Sequence, residues 1–140
     1  MLVYFDKTFK KNNMVENKKP VTALHSEITE WKSNVELIRS EISIFQKQLG
    51  CIVRKNSLQE VLKGVEHFQN QFIRQLEVSD ELFHELKAAD RRLASTADTG
   101  TDIEFIFAED NPNLRDSVEI YNKLFVELKN EFHLFLGKWM

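Results

Sequence analysis

Among the side chains of this sequence, the pair best suited to hold a metal is Glu81 and His84, a carboxylate and an imidazole three residues apart. On a helix that spacing puts both on one face. Proteins that bind two metals inside a helical bundle carry this Glu-x-x-His element twice, with a glutamate from each of two further helices. Here it occurs once, at outward positions of the heptad register derived below. An ordinary solvated pair is the plainer meaning.

Gln75 and Ser79 are a different kind of signal, two consecutive polar residues in a row that is otherwise apolar. Counting back through the turn at residues 54–56 sets Trp31 and Val35 at about the same height. The expectation is a polar core layer of Trp31, Gln75 and Ser79, with room for the indole over the small serine and the glutamine meeting its N–H. Such a layer fixes register at some cost in stability. The alternative is a small polar pocket for a ligand.

Nucleophile arrangements are absent in recognisable form: the sequence has no Gly-x-Ser-x-Gly, no phosphate-cradling glycine loop and no second cysteine to pair with Cys51. Arg54 and Lys55 stand close to Cys51, but a plain end-of-helix cysteine is the better reading. No catalytic, cofactor or metal residue is assigned. The chain is expected not to be an enzyme, and no cofactor is expected.

The elements that position these residues follow from periodicity. Apolar residues alternate at spacings of three and four through Leu24, Ile28, Trp31, Val35, Ile38, Ile42, Phe45, Leu49 and Ile52. They do so again through Leu58, Val61, Val65, Phe68, Phe72, the polar pair, Leu82, Leu86, Ala89 and Leu93. A third row runs Leu114, Val118, Tyr121, Phe125, Leu128, Phe132, Phe135 and Trp139. A 3.5-residue period winds helices around one another with a left-handed supercoil. The expected fold is all-α, an antiparallel three-helix coiled-coil bundle over residues 20–140, spectrin-repeat-like in shape, behind a flexible basic leader at residues 1–19. No histidine and no acidic residue falls in a seam.

Local signals mark the ends. Pro20 suits a first helical turn, as does Pro112 after the capping Asn111. Ser57-Leu58-Gln59-Glu60 reads as a capping box opening the second helix after a short turn at residues 54–56. The connection at residues 97–111 holds Ile103, Phe105, Ile106 and Phe107, expected to be an irregular lid over the end of the first two helices. A strand there would lack a partner unless Leu2–Phe5 supplied one. Met14 would serve as a start on its own, so residues 1–13 read either as an upstream extension or as an ordinary flexible tail.

Charge narrows the partners. The net charge is −3, but residues 1–19 carry +3, which leaves −6 on the rest. An acidic bundle repels phosphate backbones, so no nucleic acid is expected on its body; a weaker option has the basic leader touch an anionic surface such as membrane or nucleic acid. Nothing approaches the ~18 apolar residues of a membrane span, no secretory signal is visible, and a lone cysteine fits a reducing compartment. A cytoplasmic protein is expected. Leu62, Leu76 and Phe83 in the second helix, with Ile120 and Leu124 in the third, lie outside the seams and form the candidate interaction face; Val126 and Leu136 add to this excess. A partner or a second copy would cover such a face.

The stretches Val65–Ile73 (VEHFQNQFI), Phe132–Met140 (FHLFLGKWM) and Met14–Glu27 resemble small bacterial helical-bundle proteins of an uncharacterised family. That resemblance implies a helical fold and no activity, cofactor or catalytic residue. The function expected is a non-enzymatic helical interaction or scaffolding module that binds an unknown protein partner or itself. The alternative is a bundle that binds a metal or a small ligand.

Overall fold

A computed structural model describes residues 18–98 and 106–140, and 88% of them are helical. Three helices carry the fold: α1 (Val21–Lys55), α2 (Gln59–Ala97) and α3 (Pro112–Trp139). A two-stranded antiparallel sheet joins β1 (Lys18–Pro20) to β2 (Phe107–Glu109), with Lys18 opposite Glu109, Lys19 opposite Ala108 and Pro20 opposite Phe107.

The seams are the core. Every seam residue named above is buried except Trp31, Phe135 and Trp139, which are half-buried, and Leu58, which is 58% exposed. Val21 and Ile106 join them. A phenylalanine cluster ties the helices together: Phe132 of α3 lies 5.0 Å from Phe45 of α1 and 5.0 Å from Phe72 of α2, centroid to centroid. Phe68 stands 5.3 Å from Phe132 and 5.0 Å from Phe135. Close tilted and edge-on contacts of this kind add to area burial. Gly64 of α2 faces the Phe135 ring, where an added Cβ would overlap it.

Two helix ends differ from the sequence expectation. The capping box at Ser57 does not form; α2 begins one residue later, with Leu58 at the cap position and no side-chain cap. The Asn56 side chain instead donates to the Ile52 carbonyl at 3.0 Å, closing the end of α1. That places the turn at residues 56–58, later than expected. Asn111 does cap α3, its side chain accepting from the Leu114 amide at 3.1 Å.

The 97–111 connection is not wholly irregular. Among the described residues its partner strand is β1, just before α1; Leu2–Phe5, Met14, Ile103 and Phe105 lie outside the described residues. Lys18 and Lys19, assigned to the leader by sequence, belong to β1. The pairing has a local cause: α1 has no side-chain cap, and the Val21 amide donates to the Ile106 carbonyl at 2.9 Å. A strand thus satisfies a helix-terminal N–H that would otherwise lack a partner. Ile106 turns inward while Phe107 is 54% exposed.

Candidate functional site

The expected layer of Trp31, Gln75 and Ser79 is divided. Gln75 and Ser79 are buried, and the Ser79 hydroxyl donates to the Gln75 carbonyl at 2.8 Å. Its partner across the core is Tyr121 of α3, hydroxyl to hydroxyl at 2.6 Å, not Trp31. Burial pushes the Tyr121 hydroxyl up from its ordinary pKa, against the pull of the Ser79 bond. The Gln75 amide nitrogen is buried without a partner among the described residues. Trp31 stands off this layer because the turn falls at residues 56–58, and each residue moved into the turn shifts α1 against α2. Trp31 instead lines a region that Ala89, Arg92 and Leu93 also line.

That region is a cleft of about 620 Å³ between α1, α2 and the β2–α3 corner. Its floor includes the seam residues Leu24, Ile28, Leu93 and Leu114, and Glu27, Arg92 and Glu109 stand at its rim. An ion network crosses it. The Arg115 guanidinium donates to Asp110 at 2.9 and 3.0 Å and to Glu27 at 2.6 Å, and lies 5.7 Å over the Trp31 ring. Lys19 of β1 reaches Asp110 at 3.2 Å. The Arg115 hydrogen bonds hold the Asp110 carboxyl down at about 2, despite partial burial, and the same bonds raise Arg115 above its ordinary value. The network fastens β1, α1 and the start of α3 to one another. Its two cations, Arg115 and Lys19, balance its two carboxylates, Asp110 and Glu27.

Glu81 and His84 are both exposed, and His84 lines a shallow depression with Glu85, Arg92 and Asn113. Among the described residues no group of three or more histidine, cysteine or acidic side chains converges on a point where an ion could sit. The Arg54 guanidinium donates to the Cys51 sulfur at 3.3 Å. No described helix is long and apolar enough to cross a membrane.

The five candidate interface residues do not share a face. Leu76 and Phe83 are half-buried against the core, and Phe83 is covered by Arg39 of α1 and by Lys87, each 5.0 Å from the ring. Leu62 lies seven-residue steps back along that strip and is 37% exposed. Ile120 and Leu124 are more than half exposed, but they are two residues either side of Asn122, which meets α1. A two-residue step turns about 200° around a helix, so this pair points away from α1.

The surface between α1 and α3 is not singled out by the sequence reading. Three polar pairs bridge it: Glu27 with Arg115, Asn34 with Asn122, and Glu41 with Lys129 at 3.1 Å. Each pair is 88 residues apart, and each step advances seven in both helices. Leu37 and Ile44 of α1 and Val126 of α3 lie on the same strips and are 60%, 54% and 53% exposed. The signal was present in the sequence, as seven-residue steps of acid, amide, acid in one helix and base, amide, base in another. Reading it requires knowing which helices are neighbours.

No protein-family model, no curated protein and no solved structure matches this chain.

Proposed function

We propose that this protein is a non-enzymatic helical interaction module whose surface strips dock a protein partner or a second copy of the chain. The observation that carries this reading is the exposed row Leu37, Ile44 and Val126 flanking the polar pairs of the α1–α3 surface. Large apolar side chains repeated along one strip are the surface form of a helix-packing seam. The cleft chemistry supports the same reading from the other side, since its charged groups are occupied in fastening the fold. The proposed location is the cytoplasm, on the strength of the single cysteine, and kinship with small bacterial helical-bundle proteins remains part of this proposal.

The proposed architecture is an antiparallel three-helix coiled-coil bundle of the spectrin-repeat shape. In its support, the α1–α3 pairs keep a fixed residue difference, as helices running the same way require. The α2–α3 contacts keep a nearly fixed residue sum, with Ser79 meeting Tyr121 and Glu60 meeting Lys138. His25 and Lys32 meet Asp90, and Arg39 meets Asp80, so α2 returns alongside α1.

The test combines light scattering of the pure protein with a pull-down from native extract, each repeated with Leu37→Lys. Self-association or saturable capture that the substitution weakens is the expected result. A chain that stays monomeric and captures nothing refutes the proposal.

A further inference from the structure

Resting on the interaction-module reading, we infer that the partner of the α1–α3 surface is a second copy of the same surface, related by a two-fold axis parallel to the helices. The argument is one of charge and level. In each copy the α1 strip presents, in order, Glu27, Asn34, Leu37, Glu41 and Ile44. The α3 strip presents, at matching heights, Arg115, Asn122, Val126, Lys129 and His133. The heights match because the three bridging pairs share one 88-residue offset.

A two-fold axis along the helices sets α1 of one copy opposite α3 of the other without changing any height. Glu27 then meets Arg115 of the second copy, Asn34 meets Asn122, and Glu41 meets Lys129. Each ion pair becomes one half of an alternating square of four charges. Leu37 meets Val126 on the level between the second and third rungs, and Ile44 meets the His133 ring, which packs edge-on against Phe45 at 5.7 Å. An axis across the helices would instead set α1 on α1, with Glu41 near Glu41 and Lys129 near Lys129. Complementary charge selects register and orientation, and like charges in apposition count against the second arrangement. The surface is self-complementary in one orientation.

Sedimentation equilibrium of the full chain over a concentration series tests this. The wild-type chain dimerises, and Leu37→Lys and Ile44→Lys each weaken the dimer by about tenfold or more. Both positions are exposed, so helix content and melting temperature are retained. Ile120→Lys, on the side turned away from α1, leaves the dimer unchanged. Glu41→Lys and Lys129→Glu weaken it singly, and an equimolar mixture of the two variants restores it. In a Cys51→Ser background, copies carrying Leu37→Cys cross-link under mild oxidation to copies carrying Val126→Cys. Cross-linking to Ile44→Cys copies in their place overturns the axis. A dimer lost with Ile120→Lys and kept with Leu37→Lys overturns the surface while the interaction-module reading stands. A strictly monomeric chain that captures another protein does the same, and a monomer that captures nothing ends both.

Discussion

Two buried hydroxyls show how much a single side chain can decide here. Ser79 and Tyr121 are 0% and 2% exposed and meet in the core. Removing one partner is not equivalent to removing the other. Tyr121→Phe leaves the Ser79 hydroxyl donating to the Gln75 carbonyl, so the expected loss is about 1 kcal/mol. Ser79→Ala leaves a buried phenol without its partner, and the expected loss is about 1–3 kcal/mol. Urea unfolding of both variants and their double mutant separates the two terms, and equal single costs would contradict the geometry. Asp110 supplies a second prediction. Its carboxyl is held at about 2, below the ordinary 3.8, by Arg115. A depressed acid stabilises the fold above its unfolded pKa, and that contribution is lost as pH falls from about 4 toward about 2. Asp110→Asn is therefore expected to cost on the order of 1 kcal/mol at neutral pH after solvent screening. It should also flatten the acid limb of stability against pH in that window, as measured by denaturant midpoints.

At the scale of an element, the glycines of the helices separate propensity from packing. Gly50 in α1 and Gly137 in α3 have nothing among the described residues within 4 Å of an added Cβ. Gly50→Ala and Gly137→Ala are each expected to stabilise by about 0.5–1 kcal/mol, the ordinary helix-interior difference. Gly64→Ala brings the same propensity gain, but its methyl would overlap the Phe135 ring, which packs on Phe68. Overpacking costs about 1–3 kcal/mol, so a net loss near 1 kcal/mol is expected. A melting temperature that rises for all three would show that Phe135 moves aside freely. The helix starts carry a related lesson. Asn111 caps α3 from within its own segment, whereas α1 depends on a carbonyl 85 residues downstream at Ile106. The first was legible in the sequence and the second was not.

For the whole molecule, the aromatic cluster joins all three helices through Phe132, which is fully buried. Phe132→Ala removes contacts with Phe45, Phe68 and Phe72 together, and a loss of about 3–5 kcal/mol is expected. Because the cluster couples every helix, far-UV circular dichroism and tryptophan fluorescence should follow one transition in the wild type and in the variant. Trp31 and Trp139 report from opposite ends of the bundle, so separate transitions would mean that one end unfolds alone.

The sequence by itself determined the helices and their buried rows. A side chain's direction along a helix depends only on its position in a short repeat, so Val35, Ile42, Phe72 and Phe132 could be placed inside without knowing their neighbours. Tertiary structure alone decided who meets whom. The partnership of Ser79 with Tyr121, the strand pairing of Lys19 with Ala108, the Trp31 cleft and the ladder from Glu27 to Lys129 all join residues more than forty positions apart. Such meetings depend on the length of each turn and the stagger of whole helices. An error of two residues at Asn56 is enough to carry Trp31 away from Ser79.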